Sequence, residues 1–93
     1  MSRGSSYIRS VTAYSNQNTN VLPGVPLVEI CDRKRVLVEN HQGILYYGSN
    51  EIQIKVRDGH ICVIGENLKL NRMSKVKLVI TGDISAVNLR GKG

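Results

Sequence analysis

The residues that most resemble a reactive site lie in the segment RVLVENHQGIL, residues 35–45. Glu39, Asn40 and His41 stand between two apolar runs, and an imidazole beside a carboxylate could move a proton or bind a metal ion. Gly43 favours a simpler interpretation, because Asn and Gly adopt left-handed backbone angles more readily than other residues. We therefore predict a structural turn with Asn40 and Gly43 at its bends, and we expect His41→Ala to cost little stability. A partner-recognition loop is the alternative.

The other candidates for catalysis or metal binding form no recognisable motif. Cys31 and Cys62 are not part of a C-x-x-C pair, and they lie in apolar sequence where thiols are usually inert. No phosphate-binding glycine motif is present. The carboxylates lie at strand ends or turns, where acids serve solubility and local hydrogen bonding; they are Glu39, Glu51, Asp58 and Glu66. The sequence predicts no catalytic residue, no cofactor and no metal ion, so we expect a protein that is not an enzyme.

The charge of the chain favours anionic partners. Thirteen Lys and Arg residues against seven Asp and Glu residues give a net charge of +6. The basic residues of the second half alternate with apolar ones, as on the solvent side of any half-buried sheet. Nucleic-acid binding through Lys55, Lys69 and Lys77 stays open as an alternative function. Against it, the adjacent Tyr46 and Tyr47 point to opposite faces of a strand and cannot form one stacking platform.

The pattern of apolar residues predicts strands throughout the second part of the chain. From residue 27 the apolar residues recur with a period of two, and turn residues recur about every eight to ten positions. The first three predicted strands are Leu27–Cys31, Arg35–Glu39 and Ile44–Tyr47. Asp58-Gly59 is the strongest hairpin signal, and we interpret Gly65 and Gly82 as further turns. The predicted fold is all-β: a single small antiparallel meander that forms a two-layer sandwich or barrel, with a short β-solenoid-like stack as the alternative.

The composition also predicts where the folded part begins. Residues 1–20 contain no acid and are rich in Ser, Asn and Thr, with too little apolar content to fold by burial. We predict a flexible N-terminal arm over residues 1–25, a β-domain over 26–90 and a short tail over 91–93. The arm has no apolar signal segment, and no run approaches the ~20 apolar residues of a membrane span. We expect a cytoplasmic protein with free, mostly buried thiols.

A second set of apolar residues lies on the opposite parity of the predicted strands. One open sheet cannot hide both of its faces, so this second set needs a second layer or a partner. We predict an interaction face that pairs with another protein or with a second copy of the chain. Its residues are Leu37, Leu45, Tyr47, Ile64 and Val79.

Three segments resemble the YabP/YqfC family of sporulation proteins of endospore-forming bacteria, and more closely its YqfC branch. They are ENHQGIL at residues 39–45, IGENLKL at residues 64–70 and ITGDI at residues 80–84. These segments are turn and packing signatures, and none is a catalytic motif. The resemblance covers about two-thirds of the chain.

The resemblance implies a small β-rich protein that is needed for sporulation and is made in the mother cell. It implies action beside a membrane protein of the YqfD type, at the membrane around the forespore. It implies no enzymatic activity, no cofactor and no set of binding residues. The expected function is that of an interaction or assembly module, peripheral to that membrane.

Overall fold

The structure, a computed structural model, describes residues 24–91. Most of the predicted arm and the last two residues of the predicted tail lie outside this range. The described chain consists of strands joined by turns and loops, with no helix between residues 24 and 91. The strands are β1 (Leu27–Cys31), β2 (Arg35–Glu39), β3 (Ile44–Tyr47), β4 (Glu51–Val56), β5 (Gly59–Met73) and β6 (Lys77–Gly91).

The strands form one open antiparallel sheet in the order β1-β2-β6-β5-β4-β3, so the all-β prediction is confirmed. The order departs from a simple meander at one point: β6 pairs with β2, placing Ile80 beside Val36. Residues 40–43 therefore do not close a hairpin between β2 and β3, and instead connect strands at distant positions in the sheet. This non-local pairing also excludes the solenoid-like stack.

Strands β5 and β6 form one long hairpin, whereas the sequence predicted several shorter strands separated by turns. We predicted turns at Gly65 and Gly82, but both glycines lie inside strands, and pairing runs from Gly59 opposite Gly91 to Met73 opposite Leu78. The register shifts along the way, including between Ile64 and Gly65, and such bulges bend strands without ending them. Our two turn assignments are thus corrected to bends within continuous strands.

The bent hairpin lets the two ends of the sheet face each other across one core. Val36 and Val38 of β2 and Ile52 and Ile54 of β4 are all fully buried in a single cluster. Because β5 and β6 separate β2 from β4 in the sheet, residues of these strands can share a core only if the sheet folds over. The result is the two-layer arrangement, with β1, β2 and the adjoining parts of β5 and β6 in one layer.

The polar segment of residues 40–43 joins the two layers. His41 is buried, and its Nδ1 accepts a hydrogen bond of 3.0 Å from the Gly43 backbone N–H. Its proton therefore sits on Nε2, which donates to the Ser74 carbonyl oxygen at 2.9 Å. The backbone N–H of Asn40 donates to the Val76 carbonyl oxygen in the same β5–β6 turn. We therefore revise our expectation that His41→Ala costs little, because both ring nitrogens are used.

We predict that His41→Ala lowers the free energy of unfolding by about 1–3 kcal/mol, since it leaves the Ser74 carbonyl oxygen and the Gly43 N–H without their partner. Chemical denaturation followed by circular dichroism measures this. The neighbouring Gln42→Ala, at an exposed position, is the matched control and should change stability by less than about 0.5 kcal/mol. Equal effects of the two variants would contradict the buried role of His41.

Candidate interaction surfaces

The groups that could perform nucleophilic or metal chemistry are dispersed over the fold. Cys62 lies buried in β5 as expected, whereas Cys31 lies exposed at the end of β1, contrary to the expectation of a buried thiol. His41 is committed to the hydrogen bonds of its loop. Between residues 24 and 91, no three His, Cys, Asp or Glu side chains are grouped so that they could hold a metal ion. These groups therefore form no cluster within the described residues, and the candidate functional sites are surfaces.

The two thiols differ strongly in their surroundings. Cys62 is 5% exposed on β5, beside Gln53 of β4 and Asn88 of β6. Burial raises the pKa of the Cys62 thiol, and the nearby Glu51 carboxylate raises it further, against a smaller opposing effect of Arg90. A raised pKa keeps this thiol protonated, and only the thiolate reacts with alkylating reagents.

We predict that iodoacetamide at pH 8 modifies the native protein once, at Cys31, within a time in which Cys62 stays unmodified. Peptide mass spectrometry after quenching locates the label. In denaturant both cysteines should react, which provides the control for reagent and digestion. Labelling of both thiols at the same rate in the native protein would contradict the burial of Cys62.

A surface ion pair links the β1–β2 turn to the bend in β6. The Lys34 ammonium contacts the Asp83 carboxylate, which raises the pKa of Lys34 and lowers that of Asp83. A lowered carboxylate pKa means that the pair contributes at neutral pH and is lost as the solution becomes acidic. Both side chains are more than half exposed, so the contribution is small.

The predicted interaction face is divided among three places. Leu37 of β2 lies directly beside Val79 of β6 on the outer side of one layer, where Val79 is buried and Leu37 half-buried. Ile64 of β5 pairs with Glu51 of β4 in the other layer. Leu45 and Tyr47 belong to β3. The alternation of residues along a strand shows which side chains point outward, but not in which layer the strand lies. From the sequence alone, all five residues were therefore predicted to lie on one face.

A bulge in β3 also reverses the predicted sides of its tyrosines. The register shifts between Ile44 and Tyr46, so Tyr46 lies opposite Gln53, while Tyr47 lies opposite the core residue Ile52. Tyr47 reaches across to the other part of the sheet, where its hydroxyl oxygen accepts a hydrogen bond of 3.2 Å from the Leu70 N–H. Strict alternation placed Tyr46 on the core side and Tyr47 outside, and this is corrected.

Strand β3 is an exposed apolar edge. Leu45, Tyr46 and Tyr47 are 55%, 53% and 54% exposed, and β3 pairs with β4 alone. Edge strands of soluble proteins are commonly protected by lysine, proline or a bulge. The sequence ILYY has neither a charge nor a proline, so of these three features only the bulge protects β3 against pairing. The edge therefore combines free backbone pairing capacity with three adjacent large side chains.

The lysines considered for nucleic-acid binding do not share a surface. Lys69 and Lys77 lie in the layer that contains β2, and Lys77 is 3.4 Å from the Glu39 carboxylate. Lys55 lies on β4, in the opposite layer. A strand of nucleic acid needs a continuous basic track, and these three residues do not provide one.

Comparison with known proteins identifies related sequences. The model of the YabP family matches residues 25–93. The chain is 24% identical over 68 residues to "Uncharacterized protein YqfC" of Bacillus subtilis (strain 168), and the alignment covers 73% of each protein. No solved structure shows a significant match. The described residues include no helix that is long and apolar enough to cross a membrane.

Proposed function

The chain belongs to the YabP family, as its motifs suggested, and on that premise we propose that it is a non-enzymatic interaction module of sporulation. In this proposal it acts in the mother cell, at the membrane around the forespore, and it binds a membrane protein of the YqfD type. The supporting observation is the open β3 edge with its exposed Leu45, Tyr46 and Tyr47.

Strand addition is the binding mode that suits this edge. An extended segment of a partner forms main-chain hydrogen bonds to the free side of an edge strand, and alternate side chains supply specificity. Tyrosine is enriched at protein interfaces, because its ring buries a large apolar area while its hydroxyl remains hydrogen-bonded. Tyr46 and Tyr47 fit this role on either side of β3.

The β3 edge suits a partner better than the other apolar positions of the predicted face do. Val79 is only 7% exposed, so it has little surface left to bury on binding. Replacing it by lysine would damage the fold as well as any interface. Leu45 and Tyr46, in contrast, are more than half exposed in the free chain, so both have a large surface to bury on binding.

We predict that the double variant Leu45→Lys/Tyr46→Lys folds normally and loses association with its partner. Added charge on an edge strand disfavours pairing, and both side chains already face solvent. The measurement is co-purification of the full chain with a detergent-solubilised YqfD-type protein, together with light scattering of the isolated chain to detect self-association. Circular dichroism checks that the variant remains folded.

The matched control is Met73→Lys/Val76→Lys, which changes two apolar residues of similar exposure, 46% and 54%, at the β5–β6 turn. This control should retain association at the level of the natural chain. Retention by both double variants would rule out β3 as the binding edge. Loss in both would show that added positive charge alone disrupts binding.

A further inference from the structure

An apolar groove opens at one end of the core, away from the β3 edge. It has a volume of about 470 Å³ and lies between β1 and the ends of β4, β5 and β6. Its walls include Pro26 and Val28 on one side and Val56, Ile61 and Leu89 on the other. Val56 and Ile61 belong to the buried core, so the groove is a continuation of the core that reaches the surface.

Leu89 shows that this end of the core is uncovered by the described residues. It lies directly opposite Ile61 in the β5–β6 ladder, and directly opposed residues project to the same side of a sheet. Ile61 is 2% exposed, whereas Leu89 is 74% exposed. Leu89 thus lies on the core side of the sheet, yet most of its surface is in solvent. Such a residue is expected to be covered by a segment other than those described.

The described chain begins at the mouth of this groove. Pro26 lines it, and the Val25 carbonyl oxygen is held by a hydrogen bond of 2.7 Å from the Asn40 side-chain amide. Gly24 has a φ of 85°, a left-handed conformation that is typical of a chain reversal. The residues just before Gly24 are therefore attached at a fixed point beside the groove.

The segment attached there contains suitable apolar side chains. Val21 and Leu22 precede Pro23, and a residue of extended chain spans roughly 3.3–3.6 Å. A reversal at Gly24 brings both within reach of the groove that Pro26 lines. Because they are tethered, their effective concentration at the groove is on the order of millimolar, which favours them over a free competitor.

We propose that Val21 and Leu22 fold back at Gly24 and fill this groove against Leu89. The N-terminal segment then completes the core at the open end and shields its apolar wall from solvent. The groove becomes part of the fold, and the β3 edge remains as the apolar surface that a partner can reach.

Nuclear magnetic resonance of the full 93-residue chain tests this proposal. We expect nuclear Overhauser effects between methyl groups of Leu22 or Val21 and those of Leu89 or Val56. The variant Val21→Lys/Leu22→Lys should remove them and shift the Leu89 methyl resonances. The matched control Tyr7→Lys/Ile8→Lys, which alters an apolar pair far from Gly24 in the sequence, should leave the Leu89 resonances unchanged.

Two results would overturn the proposal. In the first, no such Overhauser effects are seen, and the Leu89 resonances are the same in the natural chain and in Val21→Lys/Leu22→Lys. In the second, isotope-filtered spectra of mixed labelled and unlabelled chains show that the contacts to Leu89 come from a second copy.

Discussion

Gly65→Ala should unfold much of the protein under conditions in which the natural chain is folded. A β-carbon at position 65 would collide with the backbone carbonyl oxygen of Asp83 in the paired strand and press on Ile84. The obstacle is the backbone of β6, so no side-chain rotation relieves it. We expect a loss of about 3 kcal/mol or more, which is a large part of the stability of a small domain.

The control for this variant is Gly91→Ala at the other end of the same hairpin. A β-carbon there meets no heavy atom within 4 Å, so the change in unfolding free energy should stay within about 0.5 kcal/mol. Thermal and denaturant unfolding of the two variants, with the natural chain beside them, gives the comparison. Similar stability of Gly65→Ala and Gly91→Ala would contradict the close approach of β5 and β6 at this bend.

Leu78→Ala should have the second large effect on stability. Leu78 is fully buried in β6, where it lies between Val38 of β2 and Met73 of β5. Truncation removes buried methyl groups and leaves a cavity where β6 lies between β2 and β5. Large-to-small changes of this kind cost about 2–5 kcal/mol. Equilibrium unfolding in guanidinium chloride measures the loss.

The same substitution at Leu45 provides the control, because the residue type is identical and only the surroundings differ. Leu45 is 55% exposed on β3, so Leu45→Ala should change stability by no more than about 0.5 kcal/mol. If both alanine variants lost comparable stability, the assignment of Leu78 to the core and of Leu45 to the free edge would be wrong.

Local sequence patterns predicted the strands well where strands are short and paired with near neighbours. The predicted segments at Leu27–Cys31, Arg35–Glu39 and Ile44–Tyr47 are the observed β1, β2 and β3. The hairpin expected at Asp58-Gly59 is present, but its turn lies one residue earlier: Arg57 and Asp58 join β4 to β5, and Gly59 is the first residue of β5. These features depend on alternation and on turn residues, which are properties of adjacent positions in the chain.

The features that the sequence could not supply depend on distant contacts. Pairing of β2 with β6 joins residues about forty positions apart, and no local pattern specifies it. Gly65 and Gly82 were predicted as turns, because glycine occurs both in turns and in strand bulges and the sequence does not distinguish the two. We expected His41→Ala to cost little, because no local pattern indicates the hydrogen bond from His41 to the Ser74 carbonyl oxygen, 33 positions away.

The predicted interaction face shows the same limit in a functional setting. Alternation correctly detected more apolar residues than one face of a sheet can hide. It also predicted two layers, but it could not assign each residue to a layer or foresee its burial: Val79 is buried, and Ile64 lies in the opposite layer from Leu37. The bulge in β3 then changed the side on which each tyrosine lies. What remains exposed and contiguous is the β3 edge.

Hydrogen exchange of the backbone amides in β3, measured with and without the YqfD-type partner, tests the proposed binding edge most directly. Strand addition forms new main-chain hydrogen bonds, so amides in Ile44–Tyr47 should exchange more slowly in the complex. Amides at the β5–β6 turn, residues 73–76, should be unaffected. A stable complex in which the β3 amides exchange as fast as in the free chain would contradict the proposal that the partner pairs with this edge.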